Sequence, residues 1–327
     1  MILGLFDKLK NIGRDNVYAF DYKGSKLFNR GKFEEAIECY DKALEIDPEY
    51  VESIIFKGIA LYNLGRYEEA IECYEKIRFT DAKYVDALNH KGIALLHLGK
   101  NKEAMACYDK ALEREPLDVN ALNNKGMVLF KLERYVESMA YFDKILMRRP
   151  ENVDILNNKG QALKNLGKYE EAMAHFEKAL EIEPLYVLAL LNKGDLLEEF
   201  GKHKEAIACY DKAIRIETKY VEMEVVMTKG VALNNKGKLL AKLGRYKEAI
   251  TCFDKAMKIK PDVFVLDFKD TGYNIKGHAL IEKGHALKNL GKHKEAITCL
   301  EKALEIYPEN ETILETLSEI KSKMLNY

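Results

Sequence analysis

The sequence predicts an all-α solenoid in which eight helix-turn-helix repeats stack between terminal capping helices. Between residues 17 and 310 the chain repeats eight times the pattern K-G-x-A-L-x-x-L-G-K-x-x-E-A, followed by a second apolar stretch. Apolar residues in each copy recur every three or four positions, which is the period of an amphipathic helix. A fixed period of 34 residues is typical of stacked two-helix units and not of a domain built around one site. The glycines that mark this period are Gly24, Gly58, Gly92, Gly126, Gly160 and Gly194.

The third repeat shows the order of elements within a copy. Leu88 and Leu95 share one face of a first helix, which Gly99 ends. Residues 103–113 form a second helix with its own apolar face, and Pro116 stops it. Proline ends a helix because it lacks the amide proton that the next helical hydrogen bond needs. Each repeat is therefore predicted to read helix, tight turn, helix, turn.

Proline marks the end of most repeats. Ala82 and Thr218 stand at this position in the second and sixth repeats, so we expect the boundary there to run on more smoothly. All of the prolines in the chain occupy the terminating position: Pro48, Pro116, Pro150, Pro184, Pro261 and Pro308.

The recurrent glycine of the first helix is predicted to face a small residue of the second helix. An interior helical glycine costs about 1 kcal/mol relative to alanine, so its return in every repeat indicates that close packing requires it. The small residues are Ala36, Ala70, Ala104, Ser138, Ala172, Ala206, Ala249 and Ala296.

These residues resemble the tetratricopeptide repeat. The 34-residue unit with its glycine, its alanine, a second-helix aromatic and a terminal proline matches that family over residues 17–310, although apolar residues replace the usual first-helix tryptophan. The resemblance implies a right-handed α-α superhelix whose first helices line a concave face. It also implies a protein-binding function. The aromatic position holds Tyr40, Tyr74, Tyr108, Phe142, Phe176, Tyr210 and Phe253, with Leu300 in the last repeat.

The repeat spacing sets the expected domain boundaries. In the last two repeats a second Lys-Gly lies seven residues upstream of the signature glycine, which predicts a lengthened first helix because seven residues are close to two turns. A looser connection is expected over 263–274. Residues 1–16 and 311–327 are expected to cap the stack, with a membrane-binding N-terminal helix as the weaker alternative. The predicted repeats are 17–50, 51–84, 85–118, 119–152, 153–186, 187–220, 230–263 and 277–310.

Composition limits the classes of partner. The net charge is −1 although 32% of residues are charged, which argues against a general nucleic-acid binder because such proteins need surplus cations. No stretch is long and apolar enough to span a membrane, and no secretory signal is recognisable. A cytoplasmic protein is expected. Gln161 is the only glutamine, and Glu and Lys abound, a usage that resembles thermophilic proteins.

No catalytic or metal-binding constellation is predicted. The chain contains no phosphate-binding glycine loop, paired-carboxylate pocket or Ser-His-Asp arrangement, so we expect neither an enzyme nor a cofactor. His278, Glu282 and His285 share a helical face, but the two histidines lie about 10 Å apart along the axis, too far for one ion. The cysteines are expected to be small buried residues without disulfides: Cys39, Cys73, Cys107, Cys209, Cys252 and Cys299.

A row of asparagines is predicted to line the concave face. Asn124, Asn158, Asn192 and Asn235 each lie two residues before the signature glycine of their repeat. An amide both donates and accepts, so it can pair with the backbone of an extended peptide whatever the peptide sequence. The row resembles the asparagine ladder of O-linked N-acetylglucosamine transferase, where it holds extended polypeptide. The alternative is a set of asparagines that only solvate a helical face. One residue earlier, a second polar row is predicted from Asn89, Asn123, Asn157 and Asn234.

The first four repeats replace polar lining residues by apolar ones. Such a stripe would normally be covered, so we expect it to receive apolar anchors of a partner, the N-terminal segment of the chain, or another copy of the molecule. Core packing is the alternative for some of its members. The stripe comprises Phe28, Tyr62, Leu96 and Phe130, with Ile55, Ile59, Ile93 and Met127.

The sequence therefore favours a non-enzymatic scaffold that binds an extended or helical segment of another protein in its concave groove. The first alternative is a self-associating assembly protein that uses the apolar stripe to form a homo-oligomer. A nucleic-acid-binding helical repeat is a further alternative, disfavoured by the balanced charge. The clamp by which some family members hold a terminal carboxylate is not expected, because the matching positions lack lysine and arginine.

Overall fold

The computed structural model describes residues 16–216, 223–259 and 274–325, and within these ranges it contains seventeen helices and no strand. The expected N-terminal cap and the loose connection at 263–274 fall almost wholly outside the described residues. Odd-numbered helices up to α15 are the first helices of repeats, and even-numbered ones are the second helices. The helices are α1 (16–28), α2 (Phe33–Ile46), α3 (Val51–Asn63), α4 (Tyr67–Glu75), α5 (Tyr84–His97), α6 (Asn101–Arg114), α7 (Val119–Lys131), α8 (Tyr135–Leu146), α9 (Val153–Asn165), α10 (Tyr169–Ile182), α11 (Val187–Glu199), α12 (His203–Arg215), α13 (Met223–Lys242), α14 (Tyr246–Ala256), α15 (Ile275–Asn289), α16 (His293–Leu304) and α17 (Glu311–Leu325).

The helices form two compact units, an N-terminal unit that ends at Arg148 and a C-terminal unit that begins at Arg149. In both units each first helix packs against its own second helix, and each second helix packs against the next first helix. The buried side chains form successive clusters along the chain, three of them in the C-terminal unit around α12, α14 and α16. A core divided in this way means that each repeat depends mainly on its neighbours.

Successive first helices approach one another more closely than successive second helices do. In the C-terminal unit α9 contacts α11, α11 contacts α13 and α13 contacts α15, and in the N-terminal unit α3 contacts α5 and α5 contacts α7. Comparable contacts between successive second helices do not occur among the described residues. The elements that lie closer together are on the inner side of a curved stack. The face formed by the first helices of each unit is called its inner surface below.

The signature glycine packs mainly against the aromatic ring of the second helix. A Cβ atom added to Gly160 would lie 2.5 Å from Cε1 of Phe176, whose ring is completely buried. The expected small residue lies beside the glycine carbonyl instead, as Ser138 shows by donating from Oγ to the Gly126 oxygen at 2.8 Å. The prediction that the glycine faces only a small residue was therefore incomplete, because the ring covers the glycine Cα.

The turn inside each repeat requires a left-handed residue. Glycine supplies it in seven repeats, with φ between 71° and 76°, and in the fourth repeat Glu133 adopts φ of 60°. Glycine takes this conformation without strain, whereas a residue with a Cβ atom loses about 1–2 kcal/mol there. Glu133 is thus the one strained turn residue among the described repeats.

We expect Glu133→Gly to raise the free energy of unfolding by about 1 kcal/mol, because it removes the steric cost of the left-handed conformation. Urea denaturation monitored by circular dichroism measures the change. Glu133→Ala is the matched control, since alanine also carries a Cβ atom and should give no comparable gain. Equal stabilisation by both variants would show that the backbone conformation is not the cause.

Two expectations from the repeat spacing concern the length of first helices and the boundary after the second repeat. The first helices of the last two repeats, α13 and α15, have 20 and 15 residues, compared with 13 in α9 and α11. The expectation of a smooth boundary after the second repeat was wrong, because α4 has only 9 residues and ends at Glu75. The chain turns there because the Asp81 carboxylate accepts a hydrogen bond from the Arg78 amide at 2.7 Å.

The cysteines are free thiols that belong to the packing of the second helices. Four are buried and two, Cys209 and Cys299, are half-buried. Burial raises the pKa of the Cys73 and Cys107 thiols, so these groups stay protonated near neutral pH. In the part of the chain that the structure describes, no three His, Cys, Asp or Glu side chains are grouped to hold a metal ion. No described helix has the length and apolar character to cross a membrane.

Candidate functional site

The four asparagines of the predicted ladder lie at equivalent positions on first helices. Asn124 is on α7 of the N-terminal unit, and Asn158, Asn192 and Asn235 are on α9, α11 and α13 of the C-terminal unit. All four side chains are half-buried. In the C-terminal unit, three successive first helices that contact one another thus each present an amide at the same offset from their glycine.

Two of the ladder asparagines, Asn192 and Asn235, each use one side-chain N–H group for a hydrogen bond within the protein. Asn192 donates from Nδ2 to Oδ1 of Asn157 at 2.8 Å, and Asn235 donates from Nδ2 to Oδ1 of Asp195 at 2.9 Å. The amide oxygens of Asn192 and Asn235 receive no hydrogen bond from any described residue. A donor that is already engaged polarises its amide, which makes the oxygen a better acceptor. These two rungs are therefore fixed in orientation and can accept hydrogen bonds from a ligand.

Most asparagines of the predicted second polar row are buried and form hydrogen bonds inside the protein. Asn89, Asn157 and Asn234 are 4%, 0% and 0% exposed, whereas Asn123 is half-buried. Asn89 donates to the Asp118 carboxylate at 2.8 Å, and Asn234 donates to the Ile275 carbonyl oxygen at 3.1 Å. Adjacent residues of a helix point about 100° apart. The side chains of this row therefore face the next repeat. The prediction that these three buried asparagines line the groove was wrong.

The apolar stripe of the N-terminal unit is only partly available to a partner. Phe28, Tyr62, Leu96, Phe130, Ile59, Ile93 and Met127 are all half-buried. Phe28 and Phe130 pack against the first residues of the following helices, with ring centroids 5.2 Å from Phe33 and 5.3 Å from Tyr135. Ile55 is buried in the core and cannot contact a partner, which corrects its assignment to the stripe. The remaining side chains of the stripe are only partly exposed.

The ladder position of the first repeats carries aromatic rings that the sequence analysis did not assign to the stripe. Tyr22 and Phe56 stand two residues before their signature glycines and are 62% and 37% exposed. The Phe56 ring stacks on Tyr40 of the preceding repeat at 6.2 Å between centroids. His90 stacks on Tyr74 in the same way, at 5.7 Å. The equal offset from the glycine was the available signal, since it places these rings in register with the asparagines.

A charged cleft, which the sequence pattern did not predict, opens on the inner surface of the C-terminal unit. Its volume is about 430 Å³, and α9, α11, α12 and α13 supply its walls. We call it the Asp195 cleft. Burial raises the pKa of the Asp195 carboxyl group. The hydrogen bond from Tyr210, the charge of Lys164 and the hydrogen bond from Asn235 partly counteract this rise. The lining residues are Lys164, Asp195, Glu198, Glu199, His203, Asn235, Lys238 and Lys242.

Comparison with sequence families identifies the repeat. Three family models, each described as tetratricopeptide repeat, match the chain, and together they cover most of it. One matches residues 22–50, 153–186, 230–263 and 278–310, a second matches 57–113 and 89–154, and a third matches 187–220. A search of curated proteins found no match.

Solved structures with the same fold come from several proteins. A tetratricopeptide repeat protein from Parabacteroides merdae is 16% identical with a TM-score of 0.52, over 94% of this chain and 99% of that one. The APC/C hetero-tetramer Cut9-Hcn1 gives 17% identity and a TM-score of 0.63, over 91% and 54%. The human IFIT1 dimer with m7Gppp-AAAA gives 19% and 0.60, over 92% and 76%. At these identities the likeness concerns the fold alone, and it confirms the predicted all-α superhelical repeat fold.

Proposed function

The chain belongs to the tetratricopeptide repeat family, whose fold is generally a protein-protein interaction scaffold. From this premise we propose that the inner surface of each unit binds an extended or helical segment of another protein. The proposal assigns no catalytic step to the chain and no cofactor. Recognition in the C-terminal unit would rely on hydrogen bonds to the backbone of the segment. Recognition in the N-terminal unit would rely on apolar and aromatic contacts.

The accessible amide oxygens of Asn192 and Asn235 are the observation that carries this proposal. Packed helices lie roughly 8–10 Å apart, and an extended chain advances about 3.3 Å per residue. Successive ladder asparagines would therefore accept a hydrogen bond from a backbone N–H at about every third residue of an extended segment. Because the contact is with the backbone, the rungs would hold segments of different sequence, and selectivity would come from other positions.

The N-terminal unit would add apolar anchor points. Tyr22 and Phe56 present exposed rings at the ladder position, and Phe28, Tyr62 and Phe130 contribute the uncovered edges of theirs. Aromatic rings bury a large area at a low cost in side-chain entropy, so they suit the docking of a partner's apolar side chains. A helical segment could place such residues at positions three or four apart.

We expect the replacement of ladder asparagines by alanine to weaken peptide binding without unfolding the protein. Each hydrogen bond contributes about 0.5–1.5 kcal/mol, so Asn192→Ala and Asn235→Ala should each raise the dissociation constant about 2- to 12-fold. The probe is a fluorescent 12-residue peptide selected from a random library on the wild-type protein, for which roughly micromolar affinity is expected. Fluorescence anisotropy gives the affinity.

Asn165→Ala is the matched control for this experiment. Asn165 lies at the end of α9, is exposed, and donates only to the Gln161 carbonyl oxygen at 2.9 Å. Its replacement should leave the affinity unchanged. Circular dichroism checks that all variants remain helical. Ladder variants that fold normally and bind the peptide as tightly as the wild type would remove the asparagines from the proposed site.

Self-association through the N-terminal unit is the second candidate function. The exposed rings of Tyr18, Tyr22 and Phe56 favour it, because exposed aromatic side chains are a common basis for contacts between copies. Light scattering over a dilution series distinguishes the two functions. A monomer mass at every concentration would exclude self-association, and a mass that rises with concentration and falls again in Tyr22→Ser would support it.

A further inference from the structure

We propose that the Asp195 cleft is a subsite for a cationic side chain, lysine or arginine, of the segment bound on the inner surface of the C-terminal unit. This inference rests on the proposed function, because it names the chemistry of the ligand that the asparagine rungs would hold. Three observations support it: the balance of charges in the cleft, the hydrogen bonds of Asp195, and the residues that replace Asp195 at the same position of other repeats.

Charged side chains of both signs line the cleft. Each lysine there is already paired with a glutamate, so the lysines are neutralised in place. Lys164 lies 2.9 Å from Glu199, Lys242 lies 2.5 Å from Glu198, and Lys238 lies 3.6 Å from Glu282. Asp195 has no cation within 4.0 Å among the described residues. The charge of Lys164 still lowers the pKa of Asp195, but no cation of the described residues forms an ion pair with this carboxylate, so the cleft holds one negative charge without a paired cation.

The two oxygens of the Asp195 carboxylate differ in their hydrogen bonds. Oδ1 accepts the hydroxyl of Tyr210 at 2.6 Å and the Asn235 amide at 2.9 Å, so it is fully occupied. Oδ2 receives no hydrogen bond from any described residue, although Asp195 lines the cleft. Two donors on one oxygen fix the orientation of the carboxylate. An ammonium or guanidinium group that enters the cleft would find an oriented acceptor, which favours a charge-assisted hydrogen bond.

Several other repeats carry uncharged residues at the position that corresponds to Asp195. Asp195 directly follows its signature glycine, where Ser25 stands in the first repeat and accepts the Tyr40 hydroxyl at 3.5 Å. Ile93 stands there in the third repeat, and the buried Tyr108 hydroxyl has no partner within the described residues. The fold thus tolerates a neutral acceptor or no acceptor. Satisfying Tyr210 does not require a charge, and burying a charge disfavours folding.

The Asp195 carboxylate lies next to a ladder asparagine. Asn235 is a ladder rung and also donates to Asp195, so a segment held by this rung passes beside the carboxylate. Lysine and arginine side chains are long and flexible enough to place their charge away from the backbone that carries them. A cleft of about 430 Å³ has ample space for one such group. The rungs would hold the backbone, and the cleft would select the side chain.

The test selects peptides and then removes their charge. A random 12-residue library is selected on the wild-type chain, and enrichment of lysine and arginine is expected. In the best peptide each cation is replaced by norleucine. Loss of the cation that contacts Asp195 should weaken binding to the wild type about 10-fold or more, because hydrogen bonds to charged groups are the stronger class. In Asp195→Asn the same replacement should make less than a 2-fold difference.

Two controls keep the result interpretable. Asp195→Asn retains Oδ1 as an acceptor for Tyr210, and the raised pKa of Asp195 means that ionisation of this carboxyl group is less favourable in the folded than in the unfolded chain. The variant should therefore melt no lower than the wild type at neutral pH, with the difference fading as the pH falls and the wild-type carboxyl group becomes protonated. Glu177→Gln makes the same charge change on α10, where the glutamate pairs with Lys193 at 2.7 Å, and should retain the preference for cations.

The outcomes separate this inference from the function on which it rests. If the wild type selects no peptide, the peptide-binding function itself fails. If selected peptides bind in a manner sensitive to Asn192→Ala but show no enrichment of cations, only the subsite is overturned. Enrichment of acidic residues, or an equal loss of binding to Asp195→Asn and the wild type when the cation is removed, would likewise overturn it.

Discussion

Replacing Ile313 and Ile320 together by alanine is expected to detach α17 from the rest of the C-terminal unit. Both side chains are completely buried, in a cluster that includes Leu280, Leu287 and Leu300. Each buried isoleucine-to-alanine change costs about 2–5 kcal/mol, and α17 has a packed neighbour on one side only. The double variant should therefore lose about 4 kcal/mol or more, which is enough to unfold this helix while the repeats before it remain folded.

Hydrogen exchange measured by mass spectrometry tests this expectation directly. Peptides covering α17 should lose their protection in the double variant, and peptides covering α11 and α12 should keep theirs. Leu314→Ala is the control on the same helix, since Leu314 is 47% exposed and its removal should change protection little. A double variant that unfolds as a single cooperative block would contradict the description of a core divided along the chain.

Phe176→Ala is expected to lower the free energy of unfolding by about 3–5 kcal/mol. The Phe176 ring is completely buried, and it fills the space directly above Gly160. A rigid aromatic side chain cannot be replaced by relaxation of the surrounding helices, so its removal costs both the transfer free energy and the cavity that remains. Urea denaturation monitored by circular dichroism gives the value. A loss below about 1 kcal/mol would show that the neighbouring helices collapse into the space.

The effect of Gly160→Ala should change sign when Phe176 is removed. In the wild type the added methyl group would overlap the ring, and overpacking of this kind costs about 1–3 kcal/mol. In the Phe176→Ala background the methyl group enters an empty space, and alanine gains about 1 kcal/mol over glycine from helix propensity. The double-mutant cycle measures the coupling between the two positions. Additive effects would exclude the ring as the reason why this position is glycine.

The fold could be predicted from sequence because its determinants are local and repeated. The positions of apolar residues give each helix, and the positions of Gly99 and Pro116 give the ends of two helices in the third repeat. The partner of the signature glycine was harder to predict. Gly160 and Phe176 lie on different helices, and their contact depends on the angle at which those helices cross, which sequence spacing does not give.

The candidate site could be predicted only in part, for a similar reason. The two asparagine rows differ by one residue, and the sequence does not tell which row faces the groove and which, like Asn157, faces the next repeat. The Asp195 cleft could not be predicted, because it combines Lys164, Asp195 and Lys238 from three successive first helices. Its charge also depends on ion pairs that only the packed structure shows.

The division of the core into clusters along each unit has a consequence for how such a protein can vary in length. Because a repeat contacts chiefly the one before and the one after, a further 34-residue copy joined at the turn after α10 would find the same neighbours that α11 and α12 now have. Duplication of a gene segment could thus add one first helix to the inner surface without redesign of the existing ones. The length of the proposed binding surface is, in this sense, set by the number of repeats.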